Sequence, residues 1–244
     1  GSVSHIPHET RAVQFKEKPA IIFKGQGISF EQLRDRVLRL AQILQEKGIK
    51  PLDKIAVYLP NSPEYIYSYL ASFYLGATCV PLDYMLKEDE LISCLSHSEA
   101  KILIAKKKTD VDLIQVQKSV ANLKPLLFLE EVEQIISQLK TLSLPEISIE
   151  ENDPALIMYT SGTTGKPKGI LLNYKHLDGS PLAMKHFVDL TENDVKLAVI
   201  PLSHIAGLIY IQNCIHFGIT LILMERFNPF EFLQNIDRYK GSNG

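Results

Sequence analysis

Cysteine is scarce: Cys79, Cys94 and Cys214 are the only three in 244 residues. They show no paired spacing and each sits in an apolar segment. A disulfide frame or a zinc site is therefore excluded as the organising device, and buried free thiols in a reducing compartment are expected. Charge of one sign is lacking as well. Lysine and arginine number 26 against 28 aspartates and glutamates, a balance of −2, which leaves no electrostatic footprint for nucleic acid or an anionic membrane. Lys106-Lys107-Lys108 is shorter than the blocks of about five like charges that mark interaction tails, so a solvated turn is expected there. Long apolar runs are missing too. The uncharged stretch from Tyr65 to Leu82 is interrupted by Gly76, which leaves a helix of about 20 Å at ~1.5 Å per residue, short of a hydrocarbon core of ~30 Å. No signal peptide precedes the first helix, and a cytoplasmic location is expected; Gly1-Ser2 and Gly241 to Gly244 read as residues of cloning origin.

What is present suffices for a sizeable core: 45% apolar and 22% charged residues are the proportions of a globular chain. The most informative stretch runs from Tyr159 to Gly169, Tyr-Thr-Ser-Gly-Thr-Thr-Gly-Lys-Pro-Lys-Gly. Thr160, Ser161, Gly162, Thr163, Thr164 and Gly165 offer only hydroxyls or no side chain at all. Glycine lets a ligand approach backbone N–H groups, and successive N–H groups make an anion-binding concavity. Hydroxyls donate without bulk, and Lys166 and Lys168 add mobile positive charge. The combination suits a polyphosphate. A solvent linker would not need apolar strands on both sides, yet Ala155–Tyr159 enters and Ile170–Leu172 leaves. A P-loop would need four residues between its glycines, Ser or Thr after its lysine, and a helix at once. Here two residues separate Gly162 from Gly165, Pro167 follows Lys166, and an extended segment comes next. A P-loop-like phosphohydrolase is disfavoured accordingly.

Around this loop the pattern alternates. Pro19–Phe23 reads as a strand and Gly25-Gln26-Gly27 as a hairpin-like turn. Ser29 with Gln32 forms a capping box, and Phe30, Leu33, Val37, Leu40, Ala41 and Leu44 recur at helical spacing until Gly48 and Pro51 stop the helix. Lys54–Leu59 is a strand, Pro63 opens a helix, Thr78–Leu82 is a strand, Glu88–Ser98 a helix and Lys101–Ala105 a strand. Leu126–Leu129 reads as a further strand, followed by helix to about residue 139 and a connecting loop. Val195–Ile200 is an apolar strand, and Gly179-Ser180-Pro181 interrupts the helix expected before it. The order strand, helix, strand predicts right-handed crossovers in a parallel sheet. The aromatics Tyr65, Tyr67, Tyr69, Phe73 and Tyr74 read as helix packing, and His97, His176, His186 and His216 as structural.

Thr160 to Gly169 resembles the signature loop of the adenylate-forming superfamily: acyl- and aryl-CoA synthetases, nonribosomal adenylation domains and luciferases. Tyr58 to Glu64, Leu75-Gly76-Ala77, Pro81-Leu82, Ser98 to Lys101 and Arg226 to Pro229 resemble that superfamily outside the loop, so the likeness covers Pro19 to Lys240. Asp83-Tyr84-Met85 and Tyr174-Lys175-His176 depart from its usual residues. Pro201-Leu202-Ser203-His204-Ile205-Ala206-Gly207 resembles the motif that ends a central strand beside the acyl pocket, which places His204 where parallel sheets hold ligands.

The resemblance implies an α/β fold, a mostly parallel sheet flanked by helices, as the first subdomain of the large N-terminal domain of an acetyl-CoA synthetase-like fold. Residues 1–240 would be an incomplete N-terminal AMP-binding domain. It implies ATP, Mg2+ and CoA, a carboxylic acid substrate (fatty or aryl, since no aspartate stands near Ser203 to meet an α-ammonium), and a thiol acceptor that is CoA or a carrier protein. Thr160, Ser161, Gly162, Thr163, Thr164, Gly165, Lys166 and Lys168 would hold the phosphates. Lys166 and His204 would be catalytic, His204 by orienting the carboxylate, and no metal ligand is assigned. The superfamily's later motifs, for adenine, ribose, Mg2+ and a catalytic lysine, do not occur in these 244 residues. Inactivity of this chain alone is expected, with exposed apolar surface that favours dimers. A non-catalytic nucleotide-binding homologue and an amino-acid-activating domain stay open as alternatives.

Overall fold

The strands among the described residues distribute over two sheets rather than one. A computed structural model gives the placement of residues 17–123, 126–138, 147–160, 166–177, 187–189, 195–198, 201–226 and 228–240. The chain forms two compact units, one gathering Arg36–Pro60 and Glu64–His176, the other built from the segment ending at Asp35, Asn61–Pro63 and Leu177–Gly244. Each unit holds one sheet.

In the first unit the strands are β3 (Lys54–Tyr58), β4 (Thr78–Leu82), β5 (Ile102–Ala105), β6 (Leu126–Phe128), β7 (Pro154–Tyr159) and β8 (Gly169–Asn173). Their order is β6-β5-β3-β4-β7-β8. β3 to β7 run parallel and β8 returns antiparallel to β7. The intervening helices are α2 (Pro63–Tyr74), α3 (Glu88–Ser98), α4 (Leu113–Ser119) and α5 (Leu129–Gln138), after α1 (Phe30–Glu46). The parallel strands are buried on both faces, which is why they read as continuous apolar runs. On one face Leu91, Cys94 and Leu95 of α3 pack with Ala56, Tyr58, Val80, Leu82, Leu103 and Ala105. On the other lies α2, whose Tyr65, Tyr67, Tyr69, Phe73 and Tyr74 are all buried. The phenol of Tyr65 donates to the Leu82 carbonyl at 3.0 Å, so burial of the ring leaves its polar end satisfied. Among the described residues no helix is long and apolar enough to cross a membrane.

The second unit carries β1 (Pro19–Phe23), β2 (Gln26–Ser29), β9 (Phe187–Asp189), β10 (Val195–Ala198) and β11 (Thr220–Leu223), with α6 (Ile205–Phe217) and α7 (Pro229–Lys240). The order is β2-β1-β11-β10-β9. β1 and β10 flank β11 in parallel. The Thr220 hydroxyl donates to the Pro19 carbonyl at 2.6 Å and Lys18 Nζ to the Gly218 carbonyl at 2.6 Å, fastening β1 to the start of β11.

Most sequence expectations for the elements hold. Ser29 and Gln32 exchange both capping bonds, at 2.9 and 3.1 Å, and Gly48 and Gly76 take positive φ where α1 and α2 stop. Two points are corrected. The hairpin turn sits at Lys24-Gly25, with φ of 51° and 77°, and Gln26 and Gly27 already belong to β2. Two consecutive positive-φ residues give the twist that a tight hairpin needs. The lysine triplet is not a uniformly solvated turn. Lys108 keeps only 13% of its side chain exposed, because its ammonium lies 4.5 Å from the Tyr84 ring centre and donates to the Tyr84 carbonyl at 2.6 Å. The expected mostly parallel sheet flanked by helices is the six-stranded one, and five further strands form a second sheet. The three thiols are free and buried, as expected. The interruption at Gly179-Ser180-Pro181 and His186 lie outside the described residues.

Candidate functional site

The candidate loop begins where β7 ends. Parallel sheets expose ligand-binding loops at the carboxyl ends of their strands, near the point where strand order reverses. In this sheet the chain moves from β3 outward to β4, then crosses back to place β5 on the other side of β3. β7 lies against β4, so its carboxyl end delivers the loop beside the one that follows β4.

Antiparallel pairing closes the loop. Tyr159 and Gly169 face each other in the ladder, and Thr160 to Lys168 span them. Thr160, Lys166 and Lys168 are exposed and Pro167 is half-buried. The structure therefore brings Thr160 near the entry and Lys166 and Lys168 near the exit of one closed loop. Ser161, Gly162, Thr163, Thr164 and Gly165 lie outside the described residues. Gly169 is needed for a local reason. A Cβ there would stand 3.1 Å from Ile157 Cγ2 and 3.2 Å from Tyr159 Cε1, so a side chain at this point would require those neighbours to give way by a few tenths of an ångström.

Beneath the entry lies a pair that sequence reasoning did not assign to the site. Tyr159 Oη and His97 Nδ1 are 2.7 Å apart, and the two rings meet edge to face with centres 5.6 Å apart. Tyr159 packs against the core on the α3 side, and burial pushes its phenol up to about 12. The phenol thus stays protonated at neutral pH. His97 is held in the last turn of α3, where Glu99 takes a left-handed conformation and its N–H caps the carbonyls of Leu95 and Ser96. No local pattern links two residues so far apart in the chain; an aromatic directly before the candidate loop is the single signal available.

His204 belongs to the second unit. It is the N-cap of α6, and its Nδ1 accepts from the Ala206 N–H at 3.2 Å. In the neutral ring that bond puts the proton on Nε2. The residue that sequence reasoning set at the end of a strand thus begins a helix, three residues after Pro201. Leu202 of the same turn donates its N–H to Asn61 Oδ1 at 2.8 Å, which ties the motif to the Asn61-Ser62-Pro63 segment of the same unit. Of the other histidines, His176 accepts from the Asn173 N–H at 3.0 Å in a short 3₁₀ turn after β8 and is structural. Among the described residues no group of three or more His, Cys, Asp and Glu side chains is arranged to hold a metal ion.

Known proteins resemble this chain in sequence and in fold. Residues 8–242 match the family described as AMP-binding enzyme. The chain is 28% identical over 252 residues to 4-coumarate–CoA ligase 2 of Nicotiana tabacum, covering 95% of this chain and 45% of the relative. It is 30% identical over 265 residues to a long-chain-fatty-acid–CoA ligase of Bacillus subtilis, covering 94% and 47%. It therefore spans less than half the length of these curated relatives. Among solved structures, the N-terminal domain of FACL13 from Mycobacterium tuberculosis superposes with a TM-score of 0.84 at 23% identity, covering 96% of this chain and 59% of that one. The o-succinylbenzoate CoA synthetase of Bacillus subtilis in complex with AMP superposes at 0.80 with 26% identity, covering 96% and 59%. With a family match over nearly all of its length and a loop set between β7 and β8, the chain belongs to the AMP-binding enzyme family.

Proposed function

We propose that this chain supplies the phosphate-gripping part of a ligase that activates a carboxylic acid with ATP and passes the acyl group to CoA. The carrying observation is the closed loop between Tyr159 and Gly169, with exposed Thr160, Lys166 and Lys168 at its ends. A carboxylate resists substitution because attack would have to expel oxide. Its oxygen instead attacks the α-phosphorus of ATP, the bond to the β-phosphate oxygen breaks, and pyrophosphate leaves with the electron pair. The acyl-adenylate that remains has AMP as its leaving group, and a thiol displaces it. Negative charge grows on the β- and γ-phosphates during the first step, and donors fixed there lower its barrier. In this reading Thr160, Ser161, Thr163, Thr164 and the N–H groups freed by Gly162 and Gly165 hold those oxygens. Lys166 is the principal counter-charge and Lys168 the second. Mg2+ accompanies ATP as its counter-ion; the loop's hydroxyls and lysines suit the phosphate oxygens, and no residue of this chain is assigned to the metal.

His204 presents Nε2–H to the substrate carboxylate while its Nδ1 caps α6. The relatives' names, ligases for 4-coumarate, long-chain fatty acids and 2-succinylbenzoate, favour a fatty or aryl acid with CoA as acceptor over an amino acid. Because those relatives are about twice as long, the reading also holds that turnover needs sequence beyond this chain.

The test is ATP–pyrophosphate exchange in the full-length protein with a panel of fatty and aryl acids. Lys166→Ala should lower exchange about 10²-fold or more, the scale of losing one transition-state donor. His204→Asn keeps the helix cap, so its effect should fall on the acid's KM. Exchange that survives Lys166→Ala combined with alanine at Thr160, Thr163 and Thr164 refutes the assignment.

A further inference from the structure

The loop's entry strand ends in a side chain that is fixed from three directions. The Tyr159 ring packs against the core on the α3 side. Its Cε1 lies beside Gly169, where an added Cβ would stand only 3.2 Å away, so the exit strand leaves the ring little room on that side. Its hydroxyl meets His97 Nδ1 at 2.7 Å, and the two rings contact edge to face at 80°. His97 is exposed, but the backbone that carries it is held by the left-handed cap at Glu99 and by the Ser98 hydroxyl, which donates to the Leu95 carbonyl at 3.2 Å. An ordinary core tyrosine needs one hydrogen-bond partner, and a backbone carbonyl or water would serve. Here the partners are side chains on a separate element, His97 at 2.7 Å and the neighbouring Ser98, and they hold the residue that immediately precedes the loop.

We propose that Tyr159 and His97 form the anchor of the phosphate loop, a positioning pair that holds the loop's base, Tyr159 and the Gly169 paired with it, against α3. The proposal rests on the reading of the loop as a phosphate site. It adds that the base of the loop is held from α3, an element that the reading gives no phosphate contact. Catalytic loops must be held to a fraction of an ångström by groups whose own rotamers are locked, and this pair is such a support.

Hydrogen exchange on the 244-residue chain tests the anchor without any ligand. Tyr159→Phe removes the hydroxyl and keeps the ring. Amides of residues 169–171 should then exchange about tenfold faster, the factor expected when one hydrogen bond no longer resists local opening. Amides in β3, in the same unit, should keep their rates; a general loss of stability would move both sets together. His97→Ala should reproduce the effect, and the double variant should add nothing beyond the larger single one. His97→Asn, which returns a hydrogen-bonding group close to Nδ1, should restore exchange to within about twofold of the parent, as one recovered hydrogen bond predicts. Mg·ATP titrated into the same variants of the full-length protein should show a weaker Kd in step with the exchange rates. Unchanged exchange in Tyr159→Phe, or equal acceleration in β3, overturns the anchor. Accelerated exchange at residues 169–171 with no Mg·ATP binding by the full-length parent keeps the anchor and overturns the nucleotide reading instead.

Discussion

Replacing Glu64 by glutamine should stabilise the protein at neutral pH. Glu64 stands in the first turn of α2, half-buried, and its carboxyl is pushed up from 4.5 to about 6. Burial is the main cause, and Glu133 of α5 adds repulsion and a hydrogen bond that favours the protonated form, while Arg36 opposes the shift. Arg36 cannot compensate fully, since it donates to the Tyr67 phenol at 2.9 Å. The folded state therefore binds this proton more tightly than the unfolded chain does. The group's favourable contribution is complete below pH 4.5 and disappears as pH rises through about 6; above that, an ionised Glu64 costs stability. A shift of that size corresponds to about 2 kcal/mol. Glutamine gives up the attraction of a carboxylate for the helix N-terminus, about 0.5 kcal/mol at a partly exposed site. The net gain is thus about 1–1.5 kcal/mol at pH 7.5, or a rise in Tm of roughly 2–6 °C for a chain of this size. Urea unfolding of Glu64→Gln and its parent at pH 7.5 and pH 4.5 measures it. A gain of equal size at both pH values, or none at pH 7.5, would show that burial of the ionised carboxylate is not what Glu64 costs the fold.

Three further outcomes follow from the packing. Lys108→Ala should cost about 1–2 kcal/mol, because it removes the cation from two tyrosine faces and takes a donor from the Tyr84 carbonyl; Lys107→Ala, at an exposed site over Phe128, should cost about 0.5 kcal/mol or less, and urea midpoints of the two rank them. Gly169→Ala should destabilise by about 1–3 kcal/mol through overpacking against Ile157 and Tyr159, and a thermal melt would show it. Cys79, Cys94 and Cys214 should resist a thiol reagent at pH 8 and react fully in denaturant: all three are buried, and burial pushes the Cys94 thiol up to about 11 and that of Cys79 higher still. Rapid labelling of a folded chain would contradict their burial.

Local chemistry was the legible part of this fold. The capping box at Ser29 and Gln32, the stops at Gly48 and Gly76, and Pro63 at the head of α2 are all signals carried within a few residues. The two-sheet arrangement was not legible, because the pairing of Ile21 with Leu221 leaves no trace in either neighbourhood. α4 escaped notice because its seven residues are too few to display periodicity, although Asp112 caps it by accepting from both Ile114 and Gln115 N–H groups at 3.1 Å. The site divides in the same way. Glycine, hydroxyl and lysine composition announced the loop, and its flanking strands were read from their apolar runs. The contact between His97 and Tyr159 depends on α3 lying across β7, and that is a property of the assembled sheet.

The partnership of β1 with β11 also has a bearing on synthesis. A ribosome adding about 5–20 residues per second needs roughly 10–40 s to make the intervening chain. Throughout that interval β1 and β2 have only each other, and an isolated two-stranded hairpin is marginal in water. The strands of the first unit emerge earlier than β11 and can begin to pair while that hairpin waits. The nascent β1–β2 segment, with Ala20, Ile21 and Ile28 destined for burial, is thus the stretch on which a ribosome-associated chaperone would act longest, and the sheet that closes later is the one whose opening strand left the ribosome before any strand of the other.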